Sequence, residues 1–328
     1  MTTPASRFDE VEWIARTETV GVRAPHAGTP PPPVRSGVAH WAVPAAVPPR
    51  LYAQVAARAP VAAVFRRGPA SWWQVGRWDL VSGDYEPGAW LRGGLYPRRG
   101  DLSPDGTLLL SFLMKRTRGD FLGPAPGPGT YFTVSKLPWL TALAAWREGS
   151  TWTRGCHFVE GPPSRRPFVL GEPGDGDAAP LRRRYGVADT PAVQYAAERR
   201  RGWVEAPDSP PREEGGPWDE RRRSILVKDR PGGGPGRLVL LDRGVVRGAA
   251  VELRAPAFAV ERRSRRVPLD GVQWADWDPA GRLLVATVEG RLEIRDPDDR
   301  RHRAAVRSHD LAALRPDPRQ APAWALRW

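Results

Sequence analysis

Asp101-Leu102-Ser103-Pro104-Asp105-Gly106-Thr107-Leu108-Leu109-Leu110-Ser111 and Asp276-Trp277-Asp278-Pro279-Ala280-Gly281-Arg282-Leu283-Leu284-Val285-Ala286 agree in residue class at nearly every position, although 175 residues separate them. Each reads as a strand end, a Pro/Gly turn and an apolar strand. Proline fixes φ at an inner turn position, and Gly106 or Gly281 supplies the positive φ that lets the chain reverse. A hairpin of this kind recurring far down one chain marks a repeated β unit. A second element recurs as Gly76-Arg77-Trp78-Asp79-Leu80, Gly236-Arg237-Leu238-Val239-Leu240 and Gly290-Arg291-Leu292-Glu293-Ile294. The last follows the second hairpin directly, so that region predicts strand, turn, strand, turn, strand.

Outward from these anchors the sequence predicts six paired-strand units. They are Val61 to Arg66 with Trp72 to Val81; Thr107 to Lys115 with Tyr131 to Lys136; His157 with Phe168 to Leu170; Val193 to Glu198 with Trp203 to Ala206; Ser224 to Lys228 with Arg237 to Asp242; and Leu283 to Val288 with Arg291 to Arg295. With the two hairpins in the second and sixth units, the repeat is about 44 residues, close to the length of a propeller blade. Pro/Gly-rich or acidic loops lie between the units. Helix candidates are limited to Leu140 to Trp146, which reads equally as a strand, and Asp310 to Leu314. Residues 1–50 differ: Glu12 to Arg23 alternates like one strand, but the prolines at 30–33, 44, 48 and 49 bar a continuous ladder. The expected organisation is a Pro-rich arm or cap over 1–50 and an all-β domain over 51–328.

The hairpin at Leu102 to Gly106, with its apolar continuation, resembles the repeat of WD40-like and TolB-like β-propellers. The run Arg66-Arg67-Gly68-Pro69, Trp78-Asp79 and Glu86-Pro87-Gly88, leading into Asp101 to Leu110, is similar to uncharacterised bacterial proteins. The resemblance implies a single propeller of about six blades, with five to seven possible. Regular Gly-His and Trp-Asp pairs of WD40 repeats are missing. The fold carries no function by itself, because propellers bind, scaffold and catalyse alike.

Composition narrows the chemistry. The 328 residues carry 50 basic and 37 acidic groups, a formal charge of +13. The excess is spread as +5, +3 and +5 over residues 1–100, 101–200 and 201–328, which argues against a dedicated nucleic-acid tail. Arginine clusters such as Arg199 to Arg201 and Arg262 to Arg266 sit beside Pro, Gly, Asp or Glu and read as solvated loops. Only three lysines occur and no asparagine, the skew of a GC-rich coding sequence. One cysteine excludes an internal disulfide and fits a reducing compartment. With no export signal at the N-terminus and no membrane-length apolar run, the expectation is a cytoplasmic protein without membrane association.

Motifs of catalysis are largely missing: no Gly-x-Ser-x-Gly, Cys-x-x-Cys, His-Glu-x-x-His or Gly-x-x-x-x-Gly-Lys occurs. Gly232-Gly233-Gly234-Pro235-Gly236 does not complete a dinucleotide fingerprint and reads as a turn. Cys156 and His157 are adjacent on a strand, so their side chains face opposite ways and form no dyad. His26, His40, His302 and His309 lack metal-ligand spacing, and the acidic runs at 175–177 and 296–299 read as turns. The expectation is therefore no catalytic residue, no metal and no cofactor. What remains is a binding or scaffold module whose ligand or protein partner meets a channel mouth. Arg98 and Arg99, beside the first hairpin, and Trp72, Trp73 and Trp139, out of fifteen tryptophans, are the expected contacts. The alternative is a hydrolase or lyase that gathers carboxylates such as Asp79, Asp101 and Asp276 from several blades. A nucleic-acid adaptor stands third.

Overall fold

A computed structural model describes residues 48–69, 71–114, 129–149, 153–160, 184–210, 224–247, 252–263, 265–299, 302 and 304–328. Residues 1–47, and with them most of the expected arm and its strand, lie outside the described residues, while Arg50 already opens the first strand.

The described chain is all-β, built as five antiparallel sheets laid down in chain order. The first holds β1 (Arg50–Val55), β2 (Val61–Arg67), β3 (Trp72–Asp79) and β4 (Tyr85–Arg92) as a simple meander. The second contains β5 (Gly94–Leu95), β6 (Asp101–Leu102), β7 (Leu108–Met114), β8 (Thr130–Lys136) and β9 (Ala144–Arg147). The third pairs β10 (Cys156–Val159) with β11 (Gly186–Asp189). After one helical turn, α1 (Ala196–Arg200), the fourth sheet runs through β12 (Val204–Glu205), β13 (Ile225–Asp229), β14 (Arg237–Arg247), β15 (Glu252–Arg262) and β16 (Arg265–Pro268). The fifth is β17 (Val272–Trp277), β18 (Leu283–Thr287), β19 (Arg291–Arg295) and β20 (Ala305–Asp310).

Both diagnostic hairpins form as their turn chemistry requires. Gly106 and Gly281 take φ of +72° and +76°, and their amides bond Ser103 O and Asp278 O at 2.8 and 2.9 Å. Asp105 Oδ1 accepts from Thr107 N and from the hydroxyls of Ser103 and Thr107, while Asp278 Oδ1 accepts from Arg282 N.

Two expectations need correction. Val193 to Glu198 is not a strand: its second half opens α1, because Tyr195 at φ +56° turns the chain and Ala196-Ala197-Glu198 favour a helix. His157 pairs with Ala188, and its expected partner, Phe168 to Leu170, lies outside the described residues. The two hairpins therefore stand three sheets apart, about 58 residues per step, longer than the expected repeat. Leu140 to Trp146 ends in β9, the strand alternative, and Asp310 closes β20 before a turn.

The central strands of the first and fifth sheets are apolar on both faces because each of these two sheets is covered twice. Ala62 and Val64 face the fifth sheet's Leu284, Ala286, Leu292 and Ile294, whereas Val61, Ala63 and Phe65 face Leu102 and Leu109 of the second. Leu283 and Val285 turn the other way, onto Leu226, Leu238 and Phe258 of the fourth. Adjacent sheets thus stack in the order second, first, fifth, fourth. The fully buried Arg66 ties the C-terminal segment onto the first sheet, donating to Leu311 O at 2.7 Å, Leu314 O at 2.9 Å and Gly68 O.

Candidate functional site

Where the first, second and third sheets meet α1, polar side chains from distant segments converge. β1 contributes Tyr52 and Gln54. The Pro97–Arg99 turn presents Arg98 and is held in place by Gln54 Nε2, which donates to Pro97 O at 2.7 Å. The third sheet reaches this turn because position 155 is glycine. A Cβ there would lie 2.5 Å from Arg99 O, and φ is +95°. On α1, Ala197, Glu198 and Arg201 share one side at helical spacing, and Gly202 at φ +88° follows its last turn.

The charges interlock. Arg98 Nε donates to Glu198 Oε1 at 2.7 Å, Tyr52 Oη reaches the same oxygen at 3.4 Å, and the Arg98 guanidinium lies 4.8 Å from the Tyr52 ring centre and 5.8 Å from that of Tyr195. Arg98 keeps 45% of its side chain accessible, whereas Glu198 keeps 7%. Arg201 Nη2 meets Asp101 Oδ1 at 2.6 Å, and Asp101 Oδ2 accepts from Phe158 N at 3.0 Å. Arg200 Nη1 donates to Thr190 Oγ1 at 3.3 Å. Burial opposes the charges of Arg98 and Arg201, but Glu198 and Asp101 respectively outweigh it and hold both guanidinium pKa values high. Arg200 is the exception: burial dominates and pulls its pKa down. The Tyr52 phenol is pushed above its ordinary range, first by burial and then by Glu198.

Several atoms of the cluster are buried with no hydrogen-bond partner among the described residues. They are Arg200 Nε and Nη2, Arg201 Nε, His157 Nδ1, Glu198 Oε2 and Gln54 Oε1. Each costs about 1–3 kcal/mol if left unmet.

The sequence-derived residues divide. Arg98 belongs to the cluster. Arg99 lies over Tyr96 and Phe112, at 5.0 and 5.7 Å, and so packs on the second sheet. Trp72 stands edge-on to Trp90, while Trp73, facing the other way, packs under Arg67 and against the core between the first two sheets. Both sit on β3, two strand spacings or about 10 Å from β1. Trp139 follows β8, beside Pro138, whose carbonyl accepts from Ala89 of β4. The structure does not gather these tryptophans with Arg98. Tyr52, His157, Glu198, Arg200 and Arg201 are the residues that reading the sequence missed. The Glu198/Arg201 spacing was the available signal, hidden by reading that segment as a strand and a solvated loop.

The three recurring aspartates are engaged separately. Asp79 Oδ1 accepts from Val81 N and Ser82 N at a turn, Asp101 serves Arg201, and Asp276 Oδ1 takes Lys228 Nζ at 2.6 Å. Cys156 is buried with Sγ 3.6 Å from Asp189 Oδ1, while His157 faces the cluster. The Gly232–Gly236 run is a turn beside an open depression of about 420 Å³ lined by Arg230, Arg237, Glu261, Arg262 and Arg263. That depression is basic but largely self-paired, since Arg237 and Arg266 hold Glu261, and Arg230 and Arg262 hold Asp298. His26, His40 and the acidic run at 175–177 lie outside the described residues. Among the described residues no three His, Cys, Asp or Glu side chains are grouped to hold a metal, and no helix is long and apolar enough to cross a membrane.

No family model matches this chain, and no curated protein matches it.

His157 gives the site a pH signature. Burial, then the positive charge of Arg200, holds its imidazole below the usual range, against the pull of Asp101 and Asp189 and with a further push from Arg201. The unfolded chain then takes up a proton near pH 6.5, where the folded chain does not, so stability falls as pH drops through that value. Burial shifts His302 the same way. The urea midpoint is expected to decrease between about pH 7.5 and 6, above the carboxylate range, and His157→Gln should remove part of that slope. A midpoint that rises on acidification over this window would contradict a neutral imidazole.

Proposed function

We propose that this chain is a non-catalytic binding module of the β-propeller class. Its five sheets act as blades, and a ligand or protein partner is held by the cluster around Arg98, Glu198 and Arg200. The blade reading is supported by the meandering sheets and by their stacking, which places the last sheet against the first. In a propeller the leading strand of each blade faces the central channel. The cluster fits that placement, since Tyr52 and Gln54 come from β1, Asp101 from β6 and His157 from β10. The observation that carries the reading is the concentration of buried polar atoms without a partner among the described residues on three separate segments of chain.

A thermal-shift screen of small molecules on the wild-type protein and on Arg98→Ala tests it. Arg98 is chosen because it is the exposed member of its ion pair; its removal leaves the buried Glu198 without that counter-ion, so each ligand's stabilisation is read against the variant's own unliganded midpoint. Ligands of this site at about 100 times Kd should stabilise the wild type by about 2.7 kcal/mol and lose most of that effect in the variant. Hits whose stabilisation is unchanged by Arg98→Ala would place the binding surface elsewhere.

A further inference from the structure

We propose that the depression at the end of the fourth sheet is a second binding site, and that its ligand is a small molecule carrying a phosphate monoester. The β13–β14 turn, the end of β15 and the turn into β16 build it, and none of them contributes to the cluster around Arg98.

The depression holds about 420 Å³, the size of a small-molecule pocket, and opens to solvent. Four arginines line it, and each keeps donors in reserve. Arg230 Nε donates to Gly281 O at 2.8 Å and its Nη1 to Asp298 Oδ1 at 3.3 Å. Arg237 directs Nε and Nη2 to Glu261 Oε1, and Arg262 directs Nη2 to Pro297 O and Asp298 Oδ1. These bonds fix the three guanidiniums in place. Arg230 Nη2, Arg237 Nη1 and Arg262 Nη1 meet no acceptor among the described residues, and none of the three is sealed from solvent. Arg263, exposed at the turn into β16, bonds no described residue.

Glycines shape the wall. Gly234, at φ −61° and ψ 150°, has a backbone that any residue adopts, but a Cβ there would lie 2.8 Å from Arg230 Cδ. At Gly236 a Cβ would lie 3.1 Å from Arg262 Cγ. Bare backbone lets both arginine stems lie flat against the turn and leaves a ligand room to approach. Arg263 reverses the usual choice. Its φ is +46°, the left-handed region that hairpin turns ordinarily give to glycine or asparagine. An arginine at such a position contributes through its side chain, and this side chain is free.

Donor number selects the ligand more than net charge does. The four lining arginines and Arg266 face Asp208, Asp229, Glu261 and Asp298, a surplus of one positive charge once every bonded partner is counted. The reserve donors come from positions 230, 237 and 262–263, on different strands. A carboxylate offers two oxygens in one plane and satisfies one or two such groups. A phosphate monoester offers three terminal oxygens in a tetrahedral array, which guanidiniums from several segments can share. Its organic body occupies volume that a free phosphate would leave empty, and the open mouth lets salt and water screen the charge that remains.

Calorimetry on the full chain with glycerol 3-phosphate, inorganic phosphate, acetate and glycerol tests the site. Glycerol 3-phosphate should bind saturably and more tightly than inorganic phosphate, acetate more weakly than either, and glycerol without measurable heat. Arg263→Gly should weaken glycerol 3-phosphate binding by about tenfold. The same change should leave the urea midpoint at or above that of the wild type, because glycine suits the turn. A purely structural arginine would not separate these two readouts. Gly234→Ala, whose Cβ displaces Arg230, should weaken binding in the same direction. Acetate bound as tightly as glycerol 3-phosphate would overturn the phosphate assignment, and inorganic phosphate bound as tightly would overturn the ester. Absence of saturable binding, or glycerol 3-phosphate binding unchanged in both variants, would remove the site. The reading of the Arg98 cluster stands or falls separately, since the two sites share no residue.

Discussion

Asp101→Ala is expected to destabilise the protein by about 3–5 kcal/mol, the range for removing one member of a buried ion pair. Asp101 and Arg201 each keep only 11% of their side chains accessible, and Asp101 also satisfies the amide of Phe158. Its loss leaves a guanidinium desolvated beside Arg200 and an amide unbonded, and it cuts a link between the second sheet, the third sheet and α1. Asp79→Ala, at a turn where two amides are bonded, should cost about 1 kcal/mol. Urea unfolding of both variants provides the comparison. Equal small losses would mean that the Asp101–Arg201 pair is solvated, and the cluster would lose its claim to be a preorganised site. A large loss at Asp101 also bears on the enzyme alternative, because it assigns that carboxylate to architecture.

The second large effect is expected at Trp277. This side chain is almost fully buried in the core between the fourth and fifth sheets, and its Nε1 donates to Lys228 O at 3.1 Å. The preceding residue, Asp276, bonds the ammonium of the same lysine. Trp277→Ala should cost about 3–5 kcal/mol through lost contacts and the cavity left behind. Trp277→Phe, which keeps most of the packing and gives up the hydrogen bond, should cost about 1–2 kcal/mol. A midpoint for Trp277→Ala within the error of wild type would show that the two sheets are not packed on each other in solution.

What the sequence discloses and what it conceals follow from the range of the interactions. The hairpins at 101–111 and 276–286 were legible because proline, glycine and aspartate act on their immediate neighbours. The strands at Val61 to Phe65 and Leu283 to Ala286 were legible as unbroken apolar runs. The cluster was not. Tyr52 meets Glu198 across 146 positions and Arg98 meets it across 100, distances over which no local pattern reports. Helix and strand also compete closely in a segment such as Val193 to Arg200, where an unusual backbone angle at Tyr195 decides the outcome. Arg98 was singled out for standing beside the first hairpin, and the structure brings it to the cluster. The tryptophans were singled out for their chemistry alone, and Trp73 serves the core.

The pairing of the first sheet with the fifth sets a schedule for the ribosome. Ala62, Val64 and Trp78 emerge early, yet the residues that cover them, Leu284 to Ile294, are about 200 positions downstream. At about 5–20 residues per second, that apolar face waits roughly 10–40 s for its cover. During synthesis this is the stretch that a nascent-chain chaperone would have to shield, and slowing translation near the 3′ end of the message should lower the yield of folded protein.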